Sequence, residues 1–305
     1  MNAFRWFYQQ PYLLLFLATL IWAGNAVAGK IAVGHISPFL LTTLRWLLAV
    51  AIVLPLAARY LQRDWKEIEP HLVFLFLLGS TGFALFNNLM YLALTTTTAL
   101  NVAIIQSSLP LFVFLLNFLL YRAATTGFQA VGFPLTMMGV MIITTQGSWQ
   151  VLQGLLFNVG DVMMIIAVLI YGAYSVLLNN KPDIHWLSLL TVLCCSALIT
   201  SLPFAVYEHL DGTANWPDQT GLMVVLYTGL FASLLAQAFW IRGIELIGAN
   251  ATSMFINLVP LLGTLLAVLI LGEHFQNFHA VGMGLILFGV MLAQRNSRSS
   301  EGVAR

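Results

Sequence analysis

The sequence contains very little charge: only 8% of its 305 residues are Asp, Glu, Lys or Arg, against about a quarter in soluble domains. A surface this poor in charge cannot lie mostly in water, so a soluble fold is excluded and a helical membrane protein is indicated. The net charge of +1 leaves no basic run to hold nucleic acid. The two cysteines, Cys194 and Cys195, are adjacent, which predicts neither a metal site nor a redox site.

Acidic side chains are missing from the middle of the apolar runs. Asp161 stands at the start of one run, where a carboxylate complements the helix dipole, and Glu245 and Glu273 lie near the ends of others. This distribution argues against ion coupling through a buried carboxylate. A phosphate-binding loop, a Ser/His/Asp set and a cluster of metal ligands are also missing. We therefore expect no enzyme activity, no cofactor and no bound metal.

The chain repeats itself after about 150 residues. Residues 280–291 align without a gap on residues 130–141, and seven of these twelve positions are identical. Upstream, residues 167–171 align on residues 18–22. We therefore predict two copies of one unit, residues 1–146 and residues 147–305.

Each unit contains five apolar runs, so the sequence predicts an all-α polytopic membrane protein with ten transmembrane helices. The runs lie near residues 11–31, 38–58, 72–94, 100–121, 129–146, 160–179, 186–207, 221–241, 250–271 and 279–294. With a cytoplasmic N-terminus, ten of the twelve Lys and Arg residues fall on the cytoplasmic side, so both termini are predicted to be cytoplasmic. An odd number of spans per unit inverts the second unit relative to the first.

Polar and aromatic side chains inside the spans are the candidates for a binding site. Trp22 and Asn25 share one face of the first span, and Tyr171 and Tyr174 occupy the equivalent face of the sixth. Their position near mid-span favours a cavity lining over an interfacial aromatic belt. The predicted substrate-binding residues are Trp22, Asn25, Asn87, Tyr91, Gln106, Tyr171, Tyr174, Ser175, Gln237, Trp240 and Asn257.

Amides and cations inside a membrane must face protein, water or a ligand. Asn87 and Gln237 are repeat partners, and each either contacts substrate or ties two helices together. Lys30 lies at the end of the first span, where snorkelling to the interface is favoured over an anion contact. Arg45 lies about 10 Å deep, seven residues beyond the start of its span. It either attracts an anion such as a carboxylate or, as we favour, ties its helix to a carbonyl group.

Two prolines occupy equivalent points of the two units. Pro110 and Pro260 should each kink a span, and paired kinks are typical of a central transport site, although simple helix bending explains them equally well. Gln106 lies eleven residues, or three helical turns, before Asn117, so the two side chains are predicted to share a face.

Several motifs along the chain form a recognisable pattern. They are Trp22-Ala-Gly-Asn25 followed by Lys30, Pro38 and Arg45, then Gly160-Asp161 with Tyr171, and finally Pro260, Leu271-Gly-Glu273 and residues 282–290. This pattern resembles the EamA-type proteins of the drug/metabolite transporter superfamily over nearly the whole chain. One departure is Tyr121-Arg122-Ala123, where the family often carries Gly-Glu. Any role of that Glu is therefore in doubt in the first unit.

The resemblance implies two inverted five-helix repeats, a central cavity lined by helices one, three, four, six, eight and nine, and export of small metabolites. The aromatic content is most similar to the bacterial aromatic amino acid exporters. We therefore expect a secondary transporter of the bacterial inner membrane that exports neutral amino acids, aromatic ones included, by alternating access. Its expected partners are the small-molecule substrate and the lipid bilayer, and its oligomeric state stays open.

Two alternatives stay open at this point. On the same fold, the substrate could be a lipophilic drug, a sugar or a nucleotide, although a phosphorylated substrate should require clustered cations and only Lys30 and Arg45 are available. A protein of another class, a membrane sensor or assembly protein that transports nothing, should carry a soluble domain or a long tail, and this chain has neither.

Overall fold

The computed structural model describes residues 6–93, 96–97, 99–123, 125–154, 158–271 and 276–294, and these residues are helical almost throughout with no strand among them. The first half begins with α1 (Pro11–Ala32), α2 (Pro38–Ile68) and α3, which joins Leu72–Gly79, a π-helix Ser80–Leu85 and Phe86–Ala93. It continues with α4, which joins Ala99–Gln106 and Leu109–Tyr121, and ends with α5 (Gly127–Thr144).

The second half follows the same plan after a short helix, Trp149–Gln153. It contains α6 (Val159–Leu177), α7 (Trp186–Leu210) and α8, which joins Gln219–Tyr227, a π-helix Thr228–Leu235 and the start of the helix Ala236–Ser253. That helix is interrupted at Gly248, whose φ of 77° lies in the left-handed region that glycine tolerates best. Beyond the interruption, α9 continues through a 3₁₀ segment Met254–Asn257 into Leu258–Leu271, and α10 is Asn277–Ala293.

Seven helical runs in the described residues are long and apolar enough to cross a membrane. Two of them, Pro38–Ala93 with 56 residues and Gln219–Gly263 with 45, far exceed the ~20 residues that one crossing needs. The architecture is therefore all-helical, duplicated and that of a multi-pass membrane protein.

The second helix extends about ten residues beyond the second predicted span, which was expected to end near residue 58. Arg59, Arg63 and Lys66 belong to α2, which continues as a helix to Ile68. No proline or glycine interrupts residues 56–68, and the chain turns only in the 3₁₀ segment Glu69–His71, which contains a proline.

Helices α2 and α7 are antiparallel and cap each other. Glu208, near the end of α7, accepts hydrogen bonds from Ser37 Oγ (2.7 Å) and from the Leu40 backbone N–H (3.0 Å), at the start of α2. Asp64, near the end of α2, accepts hydrogen bonds from the His185 N–H and the Ser188 hydroxyl, both at 2.8 Å, at the start of α7. Each carboxylate thus stabilises the positive end of the other repeat's helix.

Helices α5 and α10, which carry the most similar stretches of the two repeats, form the closest helix pair. Gly132 lies against the Gly289 carbonyl, and Gly139 lies against the Gly282 carbonyl. A Cβ on Gly132 or on Gly139 would approach that oxygen to 2.6 Å, so these positions require glycine for the helices to meet. Gly132 and Gly139 are the repeat partners of Gly282 and Gly289, so exchanging the repeats reproduces the same contacts.

The predicted role of Asp161 at the start of the sixth span is confirmed. Its side chain accepts a hydrogen bond from the Asn158 N–H at 2.9 Å and completes a capping box with the Asn158 side chain. It also accepts hydrogen bonds from the Thr97 hydroxyl and from Asn101 Nδ2, which attaches α6 to the start of α4.

A group of charged residues joins α8 to two other parts of the chain. Glu245 pairs with Lys181 at 3.1 Å and with Arg242 at 2.9 Å. Arg242 also donates to the Tyr8 carbonyl oxygen and lies over the Tyr8 ring. Burial, helped by the nearby Glu245 carboxylate, raises the pKa of Tyr8 to about 12, so its phenol stays neutral.

Candidate central site

The two π-helical segments lie at equivalent points of α3 and α8. Ser80–Leu85 corresponds to the later part of Thr228–Leu235, and Asn87 and Gln237 follow the two segments at the same distance. A π-helix widens the backbone and redirects the side chains after it, and such segments are frequent at functional sites. Two equivalent amides, one in each half of the protein, therefore follow the same distortion of the backbone.

The fourth and ninth helices are both interrupted just before their prolines. In α4 the break is the turn Ser107–Ser108, and in α9 it is the 3₁₀ segment Met254–Asn257. Since proline lacks an N–H group, Pro110 and Pro260 each leave a carbonyl without its helical donor. The turn removes the continuous helix on which the predicted shared face of Gln106 and Asn117 rests. Gln106 ends the first segment of α4, whereas Asn117 donates to Asn250 Oδ1 in α9 at 2.8 Å.

Aromatic side chains from both repeats meet between α1, α6 and α8. The Trp22 ring lies 5.0 Å from Trp240 and 6.4 Å from Tyr171, and the Tyr171 and Trp240 rings are 6.2 Å apart. Trp22 also donates from Nε1 to the Ala232 carbonyl in the π-helical segment of α8. Tyr174 extends the group, with its ring 5.4 Å from that of Tyr171. Four of the predicted residues are therefore brought together.

Three further aromatic residues belong to this group, although the sequence analysis missed them. Phe86 lies 5.0 Å from Tyr171, Phe83 lies 5.7 Å from Tyr174, and Trp46 stacks on Phe83 at 5.0 Å. These seven residues, which we call the aromatic cluster, are Trp22, Trp46, Phe83, Phe86, Tyr171, Tyr174 and Trp240. In an apolar run a Phe or Trp has no polar contrast with its neighbours, so no signal in the sequence marked these three residues.

The aromatic cluster carries buried polar atoms without a hydrogen-bond partner in the described part of the chain. They include the hydroxyl groups of Tyr171 and Tyr174 and the indole Nε1 of Trp46 and Trp240. The same helices add further buried atoms of this kind, which are Asn25 Oδ1, both polar atoms of the Asn88 amide and Gln237 Oε1. Leaving such groups unpaired costs about 1–3 kcal/mol each, so their concentration in one region indicates a place where a polar ligand can bind.

Other predicted site residues are engaged within the protein. Asn87 donates to the Phe83 carbonyl at 2.6 Å, and Ser175 donates to the Tyr171 carbonyl at 2.9 Å, each within its own helix. Asn257 is fully buried and donates from Nδ2 to Thr136 in α5 at 2.8 Å. These three side chains have a structural partner that the sequence did not identify.

Of the two predicted cations, Lys30 and Arg45, the structure describes the side chain of Arg45 alone. The side chain of Lys30 lies outside the described part of the chain. Arg45 is 3% exposed in α2, and its Nε donates to Ser233 Oγ in α8 at 2.7 Å. Its predicted tie to a neighbouring helix is therefore made through a hydroxyl group and not through a carbonyl group.

The chain matches the family model described as the EamA-like transporter family twice, over residues 9–145 and residues 158–294. It is 28% identical over 284 residues to the uncharacterized transporter YetK of Bacillus subtilis (strain 168), covering 92% of this chain and 86% of YetK. It is 23% identical over 291 residues to a protein of Salmonella typhimurium (strain LT2) named "Probable amino-acid metabolite efflux pump", covering 92% of this chain and 93% of that protein. A solved crystal structure shares the fold with a TM-score of 0.74 and 20% identity, covering 95% of this chain and 98% of that one.

Proposed function

The chain belongs to the EamA-like transporter family, and we propose that it exports neutral amino acids, aromatic ones included, or similar small metabolites across the bacterial inner membrane. The observation that supports this substrate class is the aromatic cluster with its unpartnered buried polar atoms. An amphiphilic metabolite needs both kinds of contact, an apolar surface for its side chain and hydrogen bonds for its polar end. The relative named as an amino-acid metabolite efflux pump supports the same class.

Within this proposal, the predicted residues take two roles. Trp22, Tyr171, Tyr174 and Trp240 contact the apolar part of the substrate, together with Tyr91 in α3. The polar end of the substrate is bound by hydrogen-bonding side chains. In the proposal these are Asn25, Asn87, Gln106, Ser175, Gln237 and Asn257. Asn25, Gln237 and Asn257 are the best placed of these, because each has a buried amide oxygen without a partner in the described residues.

The proposed mechanism is alternating access between two inverted repeats, residues 1–146 and 147–305, with ten transmembrane helices and both termini cytoplasmic. Two observations support inversion: α2 is antiparallel to its repeat partner α7, and α5 is antiparallel to its repeat partner α10. The lengths of the runs Pro38–Ala93 and Gln219–Gly263 support more than one crossing in each. Two equivalent halves of opposite orientation can rock about a shared central site.

Counterflow in proteoliposomes tests the proposal. Liposomes loaded with unlabelled Phe, Thr or Met should accumulate the labelled amino acid only when the protein is present. Trp22→Ala and Gln237→Ala should reduce this flux at least about tenfold, which corresponds to about 1.4 kcal/mol of lost interaction. The matched controls are Trp149→Ala and Gln150→Ala, which remove the same side chains from exposed positions in the short helix after α5.

Each result of this experiment has a defined meaning. Flux that survives both central substitutions in a folded protein would place the site away from the aromatic cluster. Protein-dependent flux of a drug, a sugar or a nucleotide without amino-acid flux would reject the proposed substrate class but retain a transporter. Absence of flux for every substrate would reject the transport proposal for this chain.

A further inference from the structure

Arg45 is a buried cation whose position requires an explanation. Only 3% of its surface is exposed, and it lies two turns into α2 in the part that packs against α8. Removing a charge from water costs several kcal/mol, so buried arginines are normally paired with a carboxylate or coordinated by several acceptors.

The protein supplies little of that compensation. Nε donates to the Ser233 hydroxyl at 2.7 Å, and the guanidinium carbon lies 5.3 Å from the centre of the Trp46 ring. Among the described residues, Nη1 is buried without a hydrogen-bond partner, and Arg45 forms no ion pair with a carboxylate.

The buried carboxylates of α2, α6 and α7 are engaged elsewhere. Glu208 accepts from the start of α2, and Asp64 accepts from the start of α7. Asp161 is held by its own cap and by α4. The partner that Arg45 lacks is therefore an anion that the described part of the chain does not provide.

The surroundings of the guanidinium connect it to the candidate site. Trp46, on which Arg45 lies, stacks on Phe83, and Phe83 contacts Tyr174. The Tyr91 hydroxyl lies close enough to Arg45 to interact with its guanidinium through a side-chain hydrogen bond. A cation and a hydroxyl thus lie beside one end of the aromatic cluster, and Nη1 of the cation has no partner among the described residues.

The position of the guanidinium is also held by the protein. Ser233 belongs to the π-helical segment of α8, and in the same segment Gly229 lies against the Arg45 carbonyl, where a Cβ would come within 3.2 Å. The backbone and Nε are therefore fixed, which leaves the outer nitrogens to bind a ligand. A planar carboxylate suits this arrangement, because guanidinium groups bind it through charge-assisted hydrogen bonds.

We propose that Arg45 anchors the carboxylate of the transported metabolite, with Tyr91 beside it and the metabolite's apolar part on the aromatic cluster. This inference rests on the proposed function and narrows it to substrates that carry a free carboxylate. The carboxylate is then recognised from α2 and α3, whereas four of the seven members of the aromatic cluster come from α1, α6 and α8.

Binding to the purified protein in nanodiscs of neutral lipid tests this inference independently of transport. Four probes share a phenyl group: L-phenylalanine and 3-phenylpropionate carry a carboxylate, whereas L-phenylalaninamide and phenethylamine do not. By isothermal titration, the two carboxylates should bind at least about tenfold more tightly than the other two. Loss of a charge-assisted contact predicts that Arg45→Gln weakens carboxylate binding roughly 10- to 100-fold and leaves the amide unchanged.

Two controls keep the result interpretable. Arg59→Gln removes an exposed arginine from the same helix and should leave binding unchanged. The comparison of the acid with its amide uses only the wild-type protein, so it holds even where Arg45→Gln does not fold. Equal affinity of acid and amide, or no binding of any probe, would overturn the inference.

The inference and the proposed function fail in different ways. Flux of Phe in proteoliposomes with equal affinity for acid and amide would retain the transporter and reject Arg45 as the anchor. Carboxylate-selective binding that Arg45→Gln abolishes, without flux of any carboxylate, would retain the anchor and reject transport.

Discussion

Buried polar residues in this protein fall into two groups that mutations should separate. Asn257, Asn87 and Ser175 donate to protein acceptors, whereas the hydroxyls of Tyr171 and Tyr174 have no partner among the described residues. Residue type and spacing alone do not distinguish the groups, because an amide or hydroxyl at a given depth can face a ligand or a neighbouring helix. The partner of Asn257 lies in α5, 121 residues away, and only the packed structure identifies it.

We expect Tyr174→Phe to separate function from stability. Removing an unpaired buried hydroxyl should leave the thermal unfolding midpoint unchanged or slightly higher, because no hydrogen bond is lost. Transport or binding of the substrate should fall several-fold. Asn257→Ala, the comparison, breaks a hydrogen bond to Thr136 and should destabilise the protein by about 1–3 kcal/mol. A strongly destabilised Tyr174→Phe with normal transport would contradict the assignment of this hydroxyl to the site.

His185, which precedes α7, should make stability depend on pH. Its ring stacks on Tyr60 at 3.8 Å, and Nδ1 accepts the Leu187 N–H at 3.3 Å, which requires the neutral imidazole. Burial and the nearby Arg63 lower the pKa of His185, with Asp64 opposing them. The unfolded chain therefore binds a proton more readily, and stability should decrease as the pH falls through about 6.5.

The measurement is the unfolding midpoint of the wild type and of His185→Asn between pH 8 and pH 5.5. The wild type should lose more stability than the variant over this interval. Parallel curves would show that other groups cause the pH dependence.

At the scale of helices, the interruptions of α4 and α9 were predictable only in part. The repeat placed Pro110 and Pro260 at equivalent positions, and proline physics predicts a disturbance just before each. The two π-helical segments were not predictable, because Ser80–Leu85 and Thr228–Leu235 contain no residue that forbids an ordinary α-helix. Their extra residue per turn is stabilised by packing against α2 and α7, which are distant in sequence.

The contact between α5 and α10 predicts a sharp dependence on glycine. A Cβ at Gly289 would approach the Gly132 carbonyl oxygen to 2.7 Å, whereas a Cβ at Gly284 on the same helix would meet nothing within 4 Å. Gly289→Val should therefore lower the free energy of unfolding by roughly 1–3 kcal/mol or more, since overpacking forces the helices apart. Gly284→Val, the matched control, should have little effect. Equal unfolding midpoints for the two variants would contradict the close approach.

The reciprocal caps of α2 and α7 predict two similar losses. Glu208→Ala leaves the start of α2 without its acceptor, and Asp64→Ala does the same for α7. Each should cost about 0.5–2 kcal/mol, the usual value of a helix cap. Glu67→Ala removes an exposed acid from the same end of α2 as Asp64 and serves as the control. The idea fails if all three variants unfold at the wild-type midpoint.

At the scale of the whole molecule, the duplication explains why so much of the fold could be predicted from the sequence. The repeat of about 150 residues and the lengths of the apolar runs suffice to predict two equivalent sets of helices and their approximate lengths. Association between the sets depends on individual contacts, such as Gly139 on Gly282 and Ser188 with Asp64, that no local pattern identifies. The candidate site lies between the sets, so its apolar members Phe83 and Trp46 could not be predicted.

Labelling of single cysteines tests the proposed topology. In a background with Cys194 and Cys195 replaced by Ala, Trp216→Cys should react with a membrane-impermeant maleimide in intact cells. Arg122→Cys should react only after the inner membrane is permeabilised, because its loop is proposed to be cytoplasmic. Both positions are exposed, so access to the reagent is set by the side of the membrane. The reversed pattern would place the termini outside.

The exchange of caps between α2 and α7 also bears on the order in which the protein is made. When a ribosome has completed the first repeat, the positive end of α2 has no carboxylate, since Glu208 belongs to a segment not yet synthesised. The second repeat is equally dependent, because α7 takes its acceptor from Asp64 in the segment made earlier. Neither half can complete these caps by itself, so the start of α2 acquires its carboxylate only after the second half has been translated.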